Sequence, residues 1–100
     1  MSLEQGILIE QLRSLRPWLE QTGVQHVALY GSRARGDHRP DSDLDLLIDV
    51  EPGRKFSLVE LARAQAGVSR EIGLPVSMVM KRGIEDRFAA EISADLIDVF

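Results

Sequence analysis

The chain has 100 residues, a formal net charge of −4 at pH 7 and no cysteine. This length predicts one domain over residues 1–100, with no room for a separate substrate-binding domain. The acidic balance argues against direct nucleic-acid binding, and the lack of cysteine excludes disulfides, thiol catalysis and cysteine–zinc sites. Residues 1–10 lack the basic start of a signal peptide, and no apolar run approaches the length of a membrane span. We therefore expect a cytoplasmic protein.

The first half of the chain predicts a helix, a strand, a polar turn and a second strand. Apolar residues at helical spacing predict a helix over residues 3–21, kinked or divided at Pro17. The short apolar run over residues 27–30 predicts a buried strand. Residues 31–42 are polar and rich in arginine, which indicates a loop, alone or opening a short helix. Leu44–Val50 alternates apolar and polar residues and predicts a strand with one wet face.

The second half predicts two helices and two strands. One helix is expected to begin after Ser57, with Glu60 completing a capping box, and to end at Gly73. The remaining predicted elements are a strand, a helix and a short final strand, over residues 75–80, 84–94 and 96–100. This order predicts an α/β (α+β) fold in which helices pack against a small mixed sheet.

Two carboxylates at the start of the second predicted strand form a candidate metal site. Asp43 and Asp45 are two residues apart, so their side chains leave the same face of a strand with Cα atoms roughly 6.5–7 Å apart. Leu44 between them points into the core. Two carboxylates so placed repel each other unless a cation lies between them. Magnesium prefers such oxygen ligands, and metal ions align the attacking and leaving groups of phosphoryl transfer.

The turn before this strand is a candidate phosphate site. Gly31 follows a predicted strand, where glycine allows a close backbone approach and an unusual φ. Ser32 offers a backbone N–H and a hydroxyl to a phosphate, and the start of a short helix would favour the anion. Arg33 and Arg35 could add planar, bidentate cations. Taken singly, a Gly–Ser turn or an Asp-x-Asp strand more often marks an ordinary turn or a solvated face. Their combination indicates a nucleotide site.

These two segments resemble the signature of the minimal nucleotidyltransferase (MNT) family, within the DNA polymerase β-type superfamily. That signature is a Gly–Ser pair, ten residues, and then Asp-x-Asp. The matching residues are Gly31, Ser32, Arg33, Ala34, Arg35 and Gly36, followed by Ser42, Asp43, Leu44, Asp45, Leu46 and Leu47. The resemblance implies the nucleotidyltransferase (polymerase β-like palm) fold. It also implies Mg²⁺-dependent transfer of a nucleotide from ATP or another NTP.

The same resemblance implies roles for the candidate residues. Gly31 and Ser32 would grip the triphosphate, while Asp43 and Asp45 would bind the metal and carry catalysis. Many members of the family are similar to antitoxins paired with HEPN-domain ribonuclease toxins, and some of them adenylylate a tyrosine of the toxin. The resemblance therefore implies a HEPN toxin as the partner and AMP as the transferred group. It leaves self-association open.

One position departs from the family pattern. Active members carry a third carboxylate on a later strand, often as Val-Asp-Leu-Val, and the matching residues here are Val76, Ser77, Met78 and Val79. Ser77 therefore stands where that carboxylate is expected. A serine is a poor general base at neutral pH, and losing base catalysis costs about 10²–10⁴-fold in rate. The alternative function is a weak or inactive nucleotide-binding module that neutralises a toxin by direct contact.

Several further residues have both a functional and a structural interpretation. Asp49 shares a face with the aspartate pair but lies about 13 Å beyond it along the strand, too far to replace the third carboxylate. Tyr30 either faces the nucleotide pocket or packs within the sheet. We expect Trp18 to pack between helices, and His26 and His38 to lie on the surface. A third function, as a subunit that modifies RNA or an antibiotic, is disfavoured by the acidic charge and the short chain.

Overall fold

A four-stranded mixed sheet organises residues 2–100, the part of the chain that this computed structural model describes. The helices are α1 (Leu3–Ser14), α2 (Arg16–Thr22), α3 (Ser32–Arg35), α4 (Leu58–Ile72) and α5 (Asp86–Ser93), with a 3₁₀ turn over Lys81–Gly83. The strands are β1 (Val24–Tyr30), β2 (Leu44–Val50), β3 (Val76–Met80) and β4 (Ile97–Asp98). None of the helices described combines the length and apolar stretch that crossing a membrane requires.

The order of the strands places β2 inside the sheet. The order is β3-β2-β1-β4, with β1 antiparallel to both β2 and β4, and with β2 parallel to β3. Tyr30 is in register with Asp45, and Asp45 is in register with Ser77. Side chains in register on neighbouring strands leave the same face of a sheet. Tyr30, Asp45 and Ser77 therefore form one row across three strands.

The long helix predicted at the start of the chain is divided at Leu15. Pro17 lies in the first turn of α2, where a helix needs no N–H from it. β1 then begins at Val24 rather than at residue 27. Gln25 and His26 concealed this earlier start because they are exposed polar residues within the strand. At the other end of the chain, the strand predicted over residues 96–100 is reduced to two residues.

The fourth helix has the ends that its sequence predicts. The Ser57 hydroxyl and the Glu60 carboxylate form a capping box at its start, and Gly73 ends it with a φ of +82°. Trp18 of α2 lies directly over Gly67 of α4, where an added Cβ would overlap the indole ring. This contact confirms that Trp18 packs between helices.

Two apolar clusters of unequal size cover the two faces of the sheet. The larger cluster joins one face of β2 to α1, α2 and α4; its members include Leu44, Leu46, Ile48, Val50, Leu12, Leu19 and Val68. The smaller cluster lies on the other face, under α5, and its buried members are Ala28, Tyr30, Leu47 and Ile92. The predicted apolar face of β2 is therefore confirmed, whereas the face predicted to be wet buries Leu47 and leaves Asp45 and Asp49 only half-buried.

Candidate active site

Gly31 and Asp45 are in direct contact at the end of β1. Gly31 has φ +78° and ψ −156°, a conformation that residues with a side chain rarely adopt. A Cβ added to Gly31 would overlap Oδ2 of Asp45 and lie 3.2 Å from its Cγ. Both the backbone conformation and the neighbouring carboxylate therefore require glycine here. The contact brings the predicted phosphate turn and the predicted metal site together.

Ser32 begins α3 immediately after this glycine. The N–H groups of Ala34 and Arg35 donate to the Gly31 carbonyl, each at 3.1 Å, and so close the first turn. The first amides of a helix have no partner within it, so those of Ser32 and Arg33 remain for another acceptor. The turn can therefore offer an anion the Ser32 amide and hydroxyl on a backbone that touches Asp45.

The aspartate pair has an unfavourable electrostatic environment. Asp43 is exposed, whereas Asp45 is half-buried. Burial raises the pKa of the Asp45 carboxyl, the charge of Asp43 raises it further, and the guanidinium of Arg35 opposes both effects. Lost hydration and a like charge both disfavour the ionised form of Asp45. A bound cation would offset both the lost hydration of Asp45 and its repulsion by Asp43, as expected for a metal-binding pair.

The donor atoms of this pair fit one magnesium ion that keeps most of its waters. Asp43 and Asp45 would hold the ion with hard carboxylate oxygens, the ligands that Mg²⁺ prefers. Ser77 stands beside Asp45 in register and offers only a neutral hydroxyl. Over residues 2–100, no group of three or more acidic, histidine or cysteine side chains is arranged to hold a metal. The pair therefore provides two anionic ligands, and Ser77, the neighbour of Asp45 on β3, does not add a third.

Tyr30 lies on the other side of Asp45 in the same row. It is buried, and its ring meets Phe88 edge-on, with ring centroids 5.9 Å apart and an interplanar angle of 88°. Burial raises the pKa of the Tyr30 hydroxyl, and the charge of Asp45 raises it further. The structure shows Tyr30 packed against α5, and the same side chain lies beside the Asp45 carboxylate.

Arg33 has a different surrounding from the one expected for a phosphate ligand. The residue is 4% exposed. Its guanidinium donates to the carbonyls of Arg39, Pro40 and Ser42 at distances of 3.0–3.5 Å. The structure therefore does not bring this guanidinium to the carboxylate pair. Arg33 instead holds the loop that leads from α3 to Asp43.

Arg35 remains at the edge of the site. Its half-exposed side chain pairs with Asp37 at 3.0 Å and with Asp95 at 3.1 Å. Hydrogen bonds to these carboxylates raise the pKa of Arg35, so it stays cationic. Its charge also acts on Asp45. Because both of its ion pairs are exposed, Arg35 can exchange a partner for a phosphate oxygen at little cost.

Gln5 contacts the candidate site although its sequence context did not predict such a role. This residue is 8% exposed, and its Nε2 donates to the carbonyl oxygens of Arg33 at 3.0 Å and of Ala34 at 2.8 Å. The one signal for Gln5 in the sequence is its spacing from Ser2, which fits a capping box. That spacing says nothing about a contact with α3.

The two histidines differ in exposure. His26 is exposed, as expected. His38 also lies at the surface but is partly covered: its side chain is 14% exposed, and its Nε2 lies 3.0 Å from Oε1 of Glu4.

Comparison with known proteins identifies the family. The nucleotidyltransferase domain family matches residues 7–99, and the chain belongs to this family. A relative named protein adenylyltransferase MntA, from Thermococcus cleftensis, is 30% identical over 95 residues, which cover 95% of this chain and 91% of that protein. A solved structure assigned to the minimal nucleotidyltransferases is 33% identical and has a TM-score of 0.72, covering 89% of this chain and 93% of that one. The predicted enzyme class, a nucleotidyltransferase, is confirmed.

A more distant structure has the same fold. It is the MNT antitoxin in complex with the tri-AMPylated HEPN toxin of Shewanella oneidensis. The TM-score is 0.70 at 12% sequence identity, covering 96% of this chain and 71% of that chain. At this identity the likeness shows the fold alone. Together with the structure at 33% identity, it confirms the predicted fold of helices packed on a small mixed sheet.

Proposed function

We propose that this protein transfers AMP from ATP to a partner protein, and that the partner is a HEPN-type toxin for which it acts as antitoxin. The observation that carries the proposal is the contact between Gly31 and Asp45, which joins a phosphate turn to a carboxylate pair. The name of the Thermococcus cleftensis relative supports adenylyl transfer. The tri-AMPylated toxin in the Shewanella oneidensis complex supports a HEPN partner and AMP as the transferred group.

Each residue of the site has a role in this proposal. The Gly31–Ser32 turn holds the triphosphate, with Arg35 at its edge, and Asp43 and Asp45 hold Mg²⁺. When bound, the metal supplies neutralisation of the phosphate charge that develops during transfer. The acceptor hydroxyl attacks the α-phosphorus and loses its proton, while the bond from that phosphorus to pyrophosphate breaks. The exposed position of Asp43 leaves the site open to an acceptor carried by a large partner.

Removal of the proton from the acceptor hydroxyl limits the rate of the proposed transfer. Ser77 is the nearest neighbour of Asp45 on β3 and cannot take a proton at neutral pH. We therefore expect slow transfer. The same observation favours a second function, a nucleotide-binding module that neutralises the toxin by contact. A cytoplasmic location and self-association stay predictions.

One experiment separates these two functions. The protein is incubated with Mg²⁺, ATP labelled at the α-phosphate and the product of the neighbouring gene as the candidate HEPN-type partner, and label on the partner is measured. Asp43→Asn and Asp45→Asn are compared with Asp41→Asn, which makes the same change at an exposed position outside the pair. Transfer that is lost in the first two variants and kept in the third establishes the enzyme.

The toxin's ribonuclease activity is measured in the same mixtures. Neutralisation that survives in all three variants, with no label on the partner, establishes the binding module instead. Transfer that is unchanged in both Asp43→Asn and Asp45→Asn would overturn the assignment of the site.

A further inference from the structure

A side chain of α1 reaches the end of the proposed nucleotide turn. The amide nitrogen of Gln5 donates to the carbonyl oxygens of Arg33 and Ala34, at 3.0 Å and 2.8 Å. These carbonyls belong to α3, which has four residues and cannot satisfy its own last carbonyls. Gln5 therefore fixes the end of α3 that is opposite to the Ser32 amide.

The carbonyl oxygen of the Gln5 side-chain amide is also hydrogen-bonded. Oε1 of Gln5 accepts a hydrogen bond from the Ser2 backbone N–H at 2.9 Å, and the Ser2 hydroxyl accepts one from the Gln5 backbone N–H at 3.1 Å. Glutamate would serve this capping box equally well. Only the amide nitrogen can donate to the carbonyls of α3, since an ionised carboxylate accepts and does not donate. The contact with α3, and not the cap, is what requires glutamine.

Arg33 and Glu4 extend this connection to the carboxylate pair. Glu4, beside Gln5 on α1, lies 3.8 Å from the Arg33 guanidinium and 3.0 Å from His38. Arg33 in turn donates to carbonyls of the loop over residues 39–42, which leads directly to Asp43. α1 therefore contacts both segments that carry the proposed site.

We infer that Gln5 is a positioning residue for the nucleotide site. By holding the carbonyls of Arg33 and Ala34, it sets the orientation of the Gly31–Ser32 turn against Asp45, and through that orientation it sets the affinity for Mg²⁺–ATP. Gln5 itself does not touch the reacting groups. The inference rests on the proposed nucleotide site, so its test must separate the two.

The test is the dissociation constant of Mg²⁺–ATP for Gln5→Glu, measured by calorimetry on the full chain. The variant keeps the capping box and loses the donor to α3. We expect the constant to rise about tenfold, as for the loss of one well-placed hydrogen bond. The Tm should fall as well, because a buried carboxylate replaces the donor to two carbonyl oxygens of α3. Gln11→Glu makes the same charge change on the exposed side of α1 and should bind as the unchanged chain does.

The pH dependence gives a readout that a change in folding would not produce. Burial beside two carbonyl oxygens would raise the pKa of a glutamate at position 5 above its ordinary value of about 4.3, and once protonated its O–H can donate to one carbonyl of α3. The ratio of the Gln5→Glu constant to that of the unchanged chain should therefore fall as the pH is lowered from neutral towards this raised pKa. Gln5→Met has no donor at any pH, so its ratio should remain high throughout. Gln5→Met also replaces Gln5→Glu in the affinity comparison if the latter does not fold.

The outcomes distinguish the inference from the proposed function. An unchanged chain that does not bind Mg²⁺–ATP would overturn the proposed function and the inference together. An unchanged chain that binds, with equal constants for folded Gln5→Glu or Gln5→Met, would overturn the inference alone. A raised constant for Gln5→Glu whose ratio does not change with pH would also overturn it.

Discussion

Asp45 and Ser77 are in register on neighbouring parallel strands, so their side chains lie beside each other on the same face of the sheet. Neighbouring strands are about 4.8 Å apart, a distance that one metal ion with ligands from both strands can span. The resemblance to the minimal nucleotidyltransferase signature predicts that Ser77 stands where the family carries a third carboxylate, and this register is the geometry that the prediction requires. On that prediction, the chain lacks one anionic ligand at a position where its backbone would support one.

Ser77→Asp should raise adenylyl transfer, because it adds a carboxylate beside Asp45 that can bind metal and take the acceptor's proton. We expect an increase of about 10²-fold, the lower end of what general-base catalysis contributes. Labelled ATP and the HEPN-like partner give the measurement. Ser14→Asp introduces the same charge at an exposed position of α1 and should have no effect. Equal rates for Ser77→Asp and the unchanged protein would contradict this prediction.

Asp45→Asn should stabilise the protein at neutral pH when divalent cations are removed with EDTA. Burial and Asp43 raise the pKa of Asp45 in the folded state, so the folded state binds this proton more tightly than the unfolded state does. Stability is therefore lost as the pH rises from the ordinary aspartate pKa of about 3.9 through the raised value. Asparagine avoids this loss, so we expect a higher Tm at pH 7 and no such gain below about pH 4.

Adding Mg²⁺ should reverse the order of the Tm values of the unchanged protein and Asp45→Asn. The ion stabilises the folded state that binds it, so it should raise the Tm of the unchanged protein and leave that of Asp45→Asn nearly constant. Asp41→Asn, outside the pair, should respond to Mg²⁺ as the unchanged protein does. A lower Tm for Asp45→Asn at pH 7 in EDTA would show that the carboxylate stabilises the fold.

Gly31→Ala should destabilise the protein by roughly 1–3 kcal/mol, the usual cost of a side chain in such a backbone conformation. The new Cβ would also displace the Asp45 carboxylate, so Mg²⁺-dependent stabilisation should be lost as well. Urea unfolding with and without Mg²⁺ measures both effects.

Gly6→Ala is the matched control, since Gly6 lies within α1 and an added Cβ would meet no atom within 4 Å. It should stabilise the protein by about 0.5–1 kcal/mol. If Gly31→Ala were as stable as Gly6→Ala, the contact between Gly31 and Asp45 would be disproved.

Substitutions at Gly67 and Trp18 should have strongly coupled effects on the free energy of unfolding. In the unchanged protein, Gly67→Ala places a methyl group into the indole ring and should cost roughly 1–3 kcal/mol. In a Trp18→Ala background the ring is absent, so the same change should stabilise α4 by about 0.5–1 kcal/mol through its helix propensity. Urea unfolding of the four proteins gives the coupling energy. Additive effects would contradict the packing of Trp18 over Gly67.

The centre of the site was predictable because its parts are close in the sequence. A strand that ends at Tyr30, just before Gly31, and a strand that begins at Leu44 form an antiparallel pair across a short connection. That pairing places Tyr30 opposite Asp45 and brings the turn to the carboxylates. The alternating pattern of β2 predicted which face carries Asp45 because one face of this strand is fully covered by helices.

The surroundings of the site depend on contacts that the sequence does not encode locally. Gln5 is 28 residues from Arg33, and nothing in its own helix indicates that it contacts α3. Arginine is a common phosphate ligand, yet the guanidinium of Arg33 already donates to carbonyls of the loop. Burial of a charged side chain against backbone carbonyls is decided by how α1, α3 and the loop meet.

The unequal sizes of the two apolar clusters give the site a rigid part and a mobile part. α5 is attached to the sheet by the smaller cluster, and segments with few buried apolar contacts open at a lower free energy than the main core does. The amide hydrogens of α5 should therefore exchange with solvent sooner than those of β2. Each opening uncovers Tyr30 next to Asp45, while Leu44 and Leu46 hold the carboxylate strand in place. A bulky acceptor of the proposed reaction can thus gain entry without disturbing the proposed metal ligands.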